Sequence, residues 1–419
     1  GWGGGVMGLT GPGTVAALAL LLLWAALASE DAPSCNLEPW LQEEVAPGEE
    51  GYHVICPVTP TRLHVYVGGM ATSNPLVVEL EGVKVRKHLT DVLRIKRRIV
   101  YEVVRKNGRK DKLQWQKQPW ALFTDEGGEL RPGKEDPALA SGRTLLLFEG
   151  GIWRWPTVRV GHERRVLPNV ILRTVARQPA LFEVLLTEVE PAEARAPGSD
   201  WLSTSLLSDV VAVAEPQLVP SATEGKVIKS MRSSDQTFLD YGSSPKLQEL
   251  HRLTSALLRA PMDNLMEFQV LRYQVGQHYD AHRDYWDPRE FPDVPRFRNA
   301  EGFWSMRHAT LLWYLKPPKA GGETWFPRAH GGDIPSDNWM ACDSRGEKIS
   351  PSNATAVLFY NLRADGDIDE FSWHCGCPVK KGVKWAANSW LSNTPMRPRP
   401  WVLQARERQR RRKATGGEL

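Results

Sequence analysis

The residues with most chemistry in them crowd into Tyr273–Asp287, YQVGQHYDAHRDYWD, where two histidines sit among carboxylates and phenols. Two metal-ligand pairings compete there. His278 and His282 stand four apart, which on a helix puts both imidazoles on one face, as in a zinc protease. That chemistry also needs Glu directly after the first His, and position 279 is Tyr. Gly276 before the pair, Pro288 after it, and Val275, Tyr279 and Tyr285 around it favour strand or loop over helix. His282 and Asp284 stand two apart, which puts both on one face of a strand.

One imidazole and one carboxylate are two thirds of a facial triad for non-haem Fe(II), so a second His must come from elsewhere. His308, His330 and His374 are the candidates. His374 lies in FSWHCGCPV, and Lys384 follows ten residues later at the start of a strand-like run. An oxygenase of this kind needs a cation for the distal carboxylate of 2-oxoglutarate, and a lysine can act as that point charge.

The elements that must position these groups are mostly strands. Gln269 to Val275, Thr310 to Leu315, Ala356 to Tyr360 and Trp385 to Leu391 are apolar or β-branched runs between Gly and Pro turns, a pattern that predicts a sandwich or jelly roll. Before them, Ser244-Pro245 caps an amphipathic helix marked by Leu247, Leu250, Leu253 and Leu257 and stopped by Pro261. A second helix is expected over Leu206 to Val213. Further upstream, Ile99 to Val104 with Asn107-Gly108 and Leu113 to Trp115 read as a hairpin, and Leu145 to Phe148 and Val158 to Val160 as strands.

Residues 226–395 resemble the catalytic domain of the collagen-type and plant-type prolyl 4-hydroxylases, within the Fe(II)/2-oxoglutarate dioxygenase superfamily. The motifs run in family order: Arg232-Ser233-Ser234 with Phe238-Leu239; Tyr273-x-x-Gly276-x-x-Tyr279-x-x-His282-x-Asp284; Arg307-x-x-Thr310 and Tyr314-Leu315; Gly321 to Pro327; Ala356-x-Leu358-Phe359; His374-x-Gly376-Cys377-Pro378-Val379; and Gly382-x-Lys384-Trp385. The resemblance implies a mainly β protein with flanking helices, its catalytic part a double-stranded β-helix. It implies hydroxylation of peptidyl proline coupled to decarboxylation of 2-oxoglutarate, with Fe(II), O2 and ascorbate. His282, Asp284 and His374 would bind iron. Lys384 would hold the 2-oxoglutarate carboxylate, with Tyr273 and Thr324, while Tyr279, Arg307 and Trp390 match positions that face the peptide. Cys377 lies in the family's GCPV motif and Cys342 where plant-type members carry a partner, so a Cys342–Cys377 disulfide is expected, with Cys35–Cys56 as a second bridge and Cys375 free. One departure is plain: the family has Trp-x-His where this chain has Trp390-Leu391-Ser392, which bears on substrate preference.

Over 419 residues the chain is 42% hydrophobic and 24% charged, enough for two or three domains with a sizeable core. A formal charge of +4 makes no case for nucleic acid. Lys84 to Lys112 carries 12 Lys or Arg residues but no recognisable binding motif, and reads as the solvated face of a β-rich domain. Val15 to Ala28 is apolar throughout and ends in Ala26-Leu27-Ala28, the pattern of a signal peptide or signal anchor. It directs the chain to the endoplasmic reticulum and secretory pathway, where Asn353-Ala354-Thr355 is a glycosylation sequon. The expected divisions are the leader at 1–28, a smaller β-rich domain of unknown type at 33–175, a linker and start of the catalytic region at 176–225, the dioxygenase at 226–395, and a basic, disordered tail at 396–419. The expected partner is a proline-containing peptide or protein, with no nucleic acid, membrane contact only through the leader, and a monomeric state. The alternatives are a sister dioxygenase acting on another residue or a small molecule, a non-catalytic binding protein on the same fold, and a nucleic-acid demethylase.

Overall fold

The structure, a computed structural model, describes residues 51–59, 62–68, 75–79, 96, 98–103, 120–131, 143–187, 199–221, 232–287, 290, 305–331, 342, 345–352 and 355–396. The leader, the tail, Cys35, Asn353 and most of the Lys84–Lys112 segment lie outside them.

The body of the molecule is an antiparallel sheet of nine strands. Their order across the sheet is Glu163–Leu167, Val170–Ala176, Leu181–Leu186, Ala356–Tyr360, Arg307–Lys316, Lys384–Ser392, Phe268–Tyr273, Asp235–Leu239 and Val219–Pro220. A four-stranded sheet, Tyr279–His282, His374–Gly376, Thr324–Phe326 and Glu347–Ile349, completes the double-stranded β-helix. The Arg307–Lys316 strand shows why this sheet reads as one apolar run. Ala309, Leu311, Trp313 and Leu315 face one core, and Leu312 and Tyr314 face another, because side chains alternate across a sheet covered on both sides.

The helices Thr204–Ala214 and Pro245–Leu258 cover the first of those faces through Leu206, Val210, Leu250 and Leu257. The Ser244 hydroxyl accepts from the Leu247 amide, Pro245 occupies the first helical position, and Arg259 ends the helix in the left-handed region at φ 50°. The second face closes over Phe326, Ile349 and Phe359, and it is here that the smaller sheet packs.

A separate five-stranded sheet, in the order Leu76–Glu79, Arg62–Val67, Tyr52–Thr59, Leu145–Phe148 and Ala121–Thr124, is built from the chain before the nine-stranded sheet begins. Tyr52, Val54, Phe123 and Phe148 on one face join the main core around Trp153 and Trp155, and Ile55, Leu63, Val65 and Leu147 on the other form a second cluster. Residues 98–103, expected as a strand, are helical. Ile99 and Val103, four apart, are buried together in that second cluster, and Arg98 pairs with Glu102 one turn on at 3.0 Å. The Asn107-Gly108 turn lies outside the described residues. Val158 to Val160 also forms no strand. Val158 is buried, but the chain turns at Gly161 (φ 82°) and Val160 is exposed, so pairing begins only at Glu163.

The boundary at 175/176 falls inside the Val170–Ala176 strand. Residues 163–186 belong to the nine-stranded sheet, joined to it where Leu181 pairs with Phe359 and Val184 with Ala356.

Candidate active site

The smaller sheet brings the ligands together by register. His282 closes its strand and is the direct antiparallel partner of His374, which opens the next. Asp284 lies just past the strand, in a bend, so the pair expected on one strand is split between a strand end and the turn after it. One ligand atom from each of His282, Asp284 and His374 falls within 4.8 Å of the others. His282 Nε2 is 3.7 Å from Asp284 Oδ1, and His374 Nε2 is 3.9 Å from Asp284 Oδ2.

The surroundings of these atoms fit a divalent cation. Each imidazole turns its other nitrogen to a backbone carbonyl, His282 Nδ1 to Asp280 at 2.7 Å and His374 Nδ1 to Ser372 at 3.0 Å. A carbonyl only accepts, so Nδ1 carries the hydrogen and Nε2 presents its lone pair to the shared point. Burial drives the His282 pKa well down, and His374 beside it acts in the same direction. Burial alone would raise the Asp284 carboxyl, but His374, Arg307 and His282 hold it well below the usual carboxylate range. Two imidazoles and one carboxylate are the ligand set the non-haem iron triad needs.

Asp284 is fixed by two side chains whose role as its donors the sequence does not show. Its Oδ2 accepts from the Thr310 hydroxyl at 2.8 Å and from the Trp390 indole N–H at 2.9 Å. Asn361, fully buried, in turn donates to the Thr310 hydroxyl at 3.0 Å.

A cavity of about 730 Å³ opens over the triad and reaches Lys384, Tyr273 and Thr324. Lys384 is 3% exposed and has no ion-pair partner among the described residues. Burial pushes its pKa down to about 8, opposed by Glu323. A buried ammonium without a carboxylate is costly unless a ligand supplies the anion. Its Nζ lies 5.5 Å from the Tyr273 ring centroid and 5.3 Å from that of Tyr314. Thr324 shares a 2.7 Å hydrogen bond with the Tyr314 hydroxyl, which makes Tyr314 a further member of this end.

Tyr279, Arg307 and Trp390 meet at the other end. Arg307 lies 3.6 Å over the Trp390 ring and 4.7 Å over that of Trp286, and 3.7 Å from Asp284 Oδ1. Tyr279 stacks on His282 with centroids 3.7 Å apart, and Arg232 covers the same phenol at 4.5 Å. Arg232, Trp286, Arg283 and Trp373 also line the cavity. Arg232 was visible as part of a motif, while the other three carry no spacing that marks them. Ser392, where the family has His, is fully buried, with its hydroxyl bonded to that of Ser305 at 2.9 Å and accepting from the Thr394 amide at 3.2 Å.

The remaining histidines stand apart from the triad. His308 is buried against Tyr360 and its pKa is lowered to about 3 by burial, with Arg154 adding to it; His330 pairs with Glu347 at 2.9 Å, and His278 lies 3.6 Å from Asp280. Cys342 and Cys377 are disulfide-bonded, Cys375 is a buried free thiol, and Cys56 is disulfide-bonded too, its expected partner lying outside the described residues.

The fold and site define a double-stranded β-helix protein carrying a His-x-Asp…His triad beside a buried lysine. Residues 268–392 match the model of the 2OG-Fe(II) oxygenase superfamily. Probable prolyl 4-hydroxylase 10 of Arabidopsis thaliana is 34% identical over 259 residues, 59% of this chain and 86% of the relative. Prolyl 4-hydroxylase 5 of the same plant is 34% identical over 201 residues, 46% of this chain. The chain spans 66% of the length of that relative, just under two thirds. The solved viral collagen prolyl hydroxylase from Paramecium bursaria Chlorella virus 1, as its 2-oxoglutarate complex, is 26% identical with a TM-score of 0.33, covering 46% of this chain and 91% of that one. The chain belongs to the prolyl 4-hydroxylase family of 2-oxoglutarate- and Fe(II)-dependent oxygenases.

Proposed function

We propose that this chain is an Fe(II)- and 2-oxoglutarate-dependent dioxygenase that 4-hydroxylates peptidyl proline, releasing succinate and CO2. The observation that carries the reading is that one cavity holds both the two-histidine, one-carboxylate triad and the buried Lys384, which has no ion-pair partner among the described residues. When bound, the metal supplies oxygen activation coupled to oxidative decarboxylation of the keto acid. The chain's own groups do the positioning. His282, Asp284 and His374 hold the ion, and Thr310 and Trp390 fix the carboxylate's orientation. Lys384 takes the distal carboxylate of 2-oxoglutarate, with Thr324 and Tyr273 beside it. Arg307, clamped between Trp390 and Trp286, offers its N–H groups to a peptide carbonyl, and the indoles keep water from the reacting carbon. Ascorbate would restore iron oxidised in turnovers without peptide.

A second reading rests on Ser392. Its hydroxyl is used within the protein and it does not line the cavity, so the imidazole that the family offers at this position is missing from the substrate wall. A sister dioxygenase acting on another residue or a small molecule follows from that. Screening succinate release over proline-rich, collagen-like and proline-free peptides separates the two. Stimulation confined to proline peptides supports the first reading, and stimulation by proline-free substrates alone moves the assignment to the second. For location, the apolar leader supports a lumenal enzyme of the secretory pathway, acting as a monomer. Retention of protease-protected enzyme in microsomes tests the location.

A further inference from the structure

The nine-stranded sheet carries three amide side chains in a row on the wall of the same cavity. Asn388, Gln269 and Gln236 belong to three successive strands, and all three line the cavity. Asn388 lies directly opposite Gln269, and Gln269 directly opposite Phe238, two residues from Gln236. The amides are joined head to tail. Asn388 Nδ2 donates to Gln269 Oε1 at 3.0 Å, and Gln269 Nε2 donates to Gln236 Oε1 at 2.7 Å. Asn388 shares its strand face with Lys384, Ala386 and Trp390, so the row starts between the co-substrate end and the substrate end.

Further along the same sheet the inner face is apolar and packed, as at Leu181, Val357 and Phe359. The amide row therefore stands out as a wall built to meet something polar. Gln269 uses one donor and its acceptor inside the row. The ends are left over: the amide N–H groups of Gln236 and the carbonyl oxygen of Asn388 make no other hydrogen bond among the described residues. A chain of aligned amides polarises its members, so these ends are a good donor and a good acceptor. Beside them Phe238, a large apolar ring, lines the same cavity and is 48% exposed.

We infer that Gln236, Gln269, Asn388 and Phe238 form a distal subsite for the backbone of an extended, proline-rich peptide, seating residues about one turn away from the proline at the metal. The inference rests on the peptidyl-proline reading above. Two strand spacings and a two-residue offset along the strand separate Asn388 from Gln236, about 12 Å. A polyproline II helix advances about 9 Å per three-residue turn and leaves its backbone groups free. Proline has no N–H, so such a segment offers mainly carbonyls, which suit the Gln236 donor. Phe238 offers a flat apolar face to a pyrrolidine ring, the contact by which aromatic-lined grooves take proline-rich chains.

The test compares a proline tripeptide with a proline-rich peptide of about nine residues, or three polyproline turns. Wild type, Gln236→Leu and Phe238→Ala are assayed for KM and kcat, and by calorimetric binding of both peptides to protein loaded with Mn(II) and 2-oxoglutarate. Melting temperatures check the fold. The expected result is a clear wild-type preference for the long peptide. In each variant its KM and Kd should rise about fivefold, the worth of one modest contact, shrinking the gap to the tripeptide. Turnover without length preference in wild type, or variants that weaken both peptides equally, would overturn the subsite and leave the proline reading intact. If no proline peptide binds or is turned over by wild type, both the reading and the subsite fall.

Discussion

The indole N–H of Trp390 donates to Asp284 Oδ2 at 2.9 Å, joining two residues 106 positions apart in the chain. Arg307 rests on the same indole at 3.6 Å. Trp390 therefore holds a candidate metal ligand at its edge and a cavity-lining cation on its ring. Removing the N–H should free the carboxylate to rotate. Trp390→Phe and Thr310→Val are each expected to weaken Mn(II) or Co(II) binding by about 10- to 100-fold, the usual cost of losing a partner of a metal ligand. Titration of the metal-free protein measures this, and unchanged affinity would show the two donors to be idle.

On the proposed reading, Lys384 sets the pH range for the co-substrate. Its folded pKa is near 8, below the ordinary lysine value, so the cation that binds a carboxylate is lost as pH rises through about 8. The KM for 2-oxoglutarate should be flat below that point and rise about tenfold per pH unit above it. Stability moves the other way. Between the folded pKa and the ordinary lysine value the unfolded chain binds more protons, so this group makes the fold more stable as pH increases. Lys384→Met should remove the pH dependence and most of the affinity together. A KM with the same alkaline rise in that variant would assign the titration elsewhere.

The Cys342–Cys377 bond closes a loop of 35 residues ending three residues after His374. Chain-entropy reasoning gives it a stabilising effect of up to about 4 kcal/mol. Cys342→Ala with Cys377→Ala should lower the urea midpoint and, because the unfolded chain is no longer held compact by the cross-link, steepen the denaturant slope. A midpoint equal to wild type would show that the bond adds nothing to the fold.

The site was more legible than the scaffold. His282, Asp284, His374 and Lys384 stand in a dense local pattern, and the strands around them have strong apolar runs. What the pattern could not carry was pairing across long separations. Nothing local in Leu181–Leu186 says that it pairs with Ala356–Tyr360, so the strands before it looked like part of another domain. Ile99 and Val103 are β-branched and read as strand, yet burial of both on one side made that segment helical. Thr310 stands in a motif that gives it no role, and Asn361 in none; both gain a role only once the sheet is formed, as a hydrogen-bond relay to Asp284.

The most direct measurement is mass spectrometry of a proline-rich peptide incubated with Fe(II), O2 and 2-oxoglutarate, with succinate quantified in the same reaction. Wild type should add one oxygen to proline C4 for each succinate formed, and His374→Ala, with one ligand removed, should do neither. Equal succinate from both proteins, or succinate from wild type with no oxygen on proline under any peptide tested, would contradict the account.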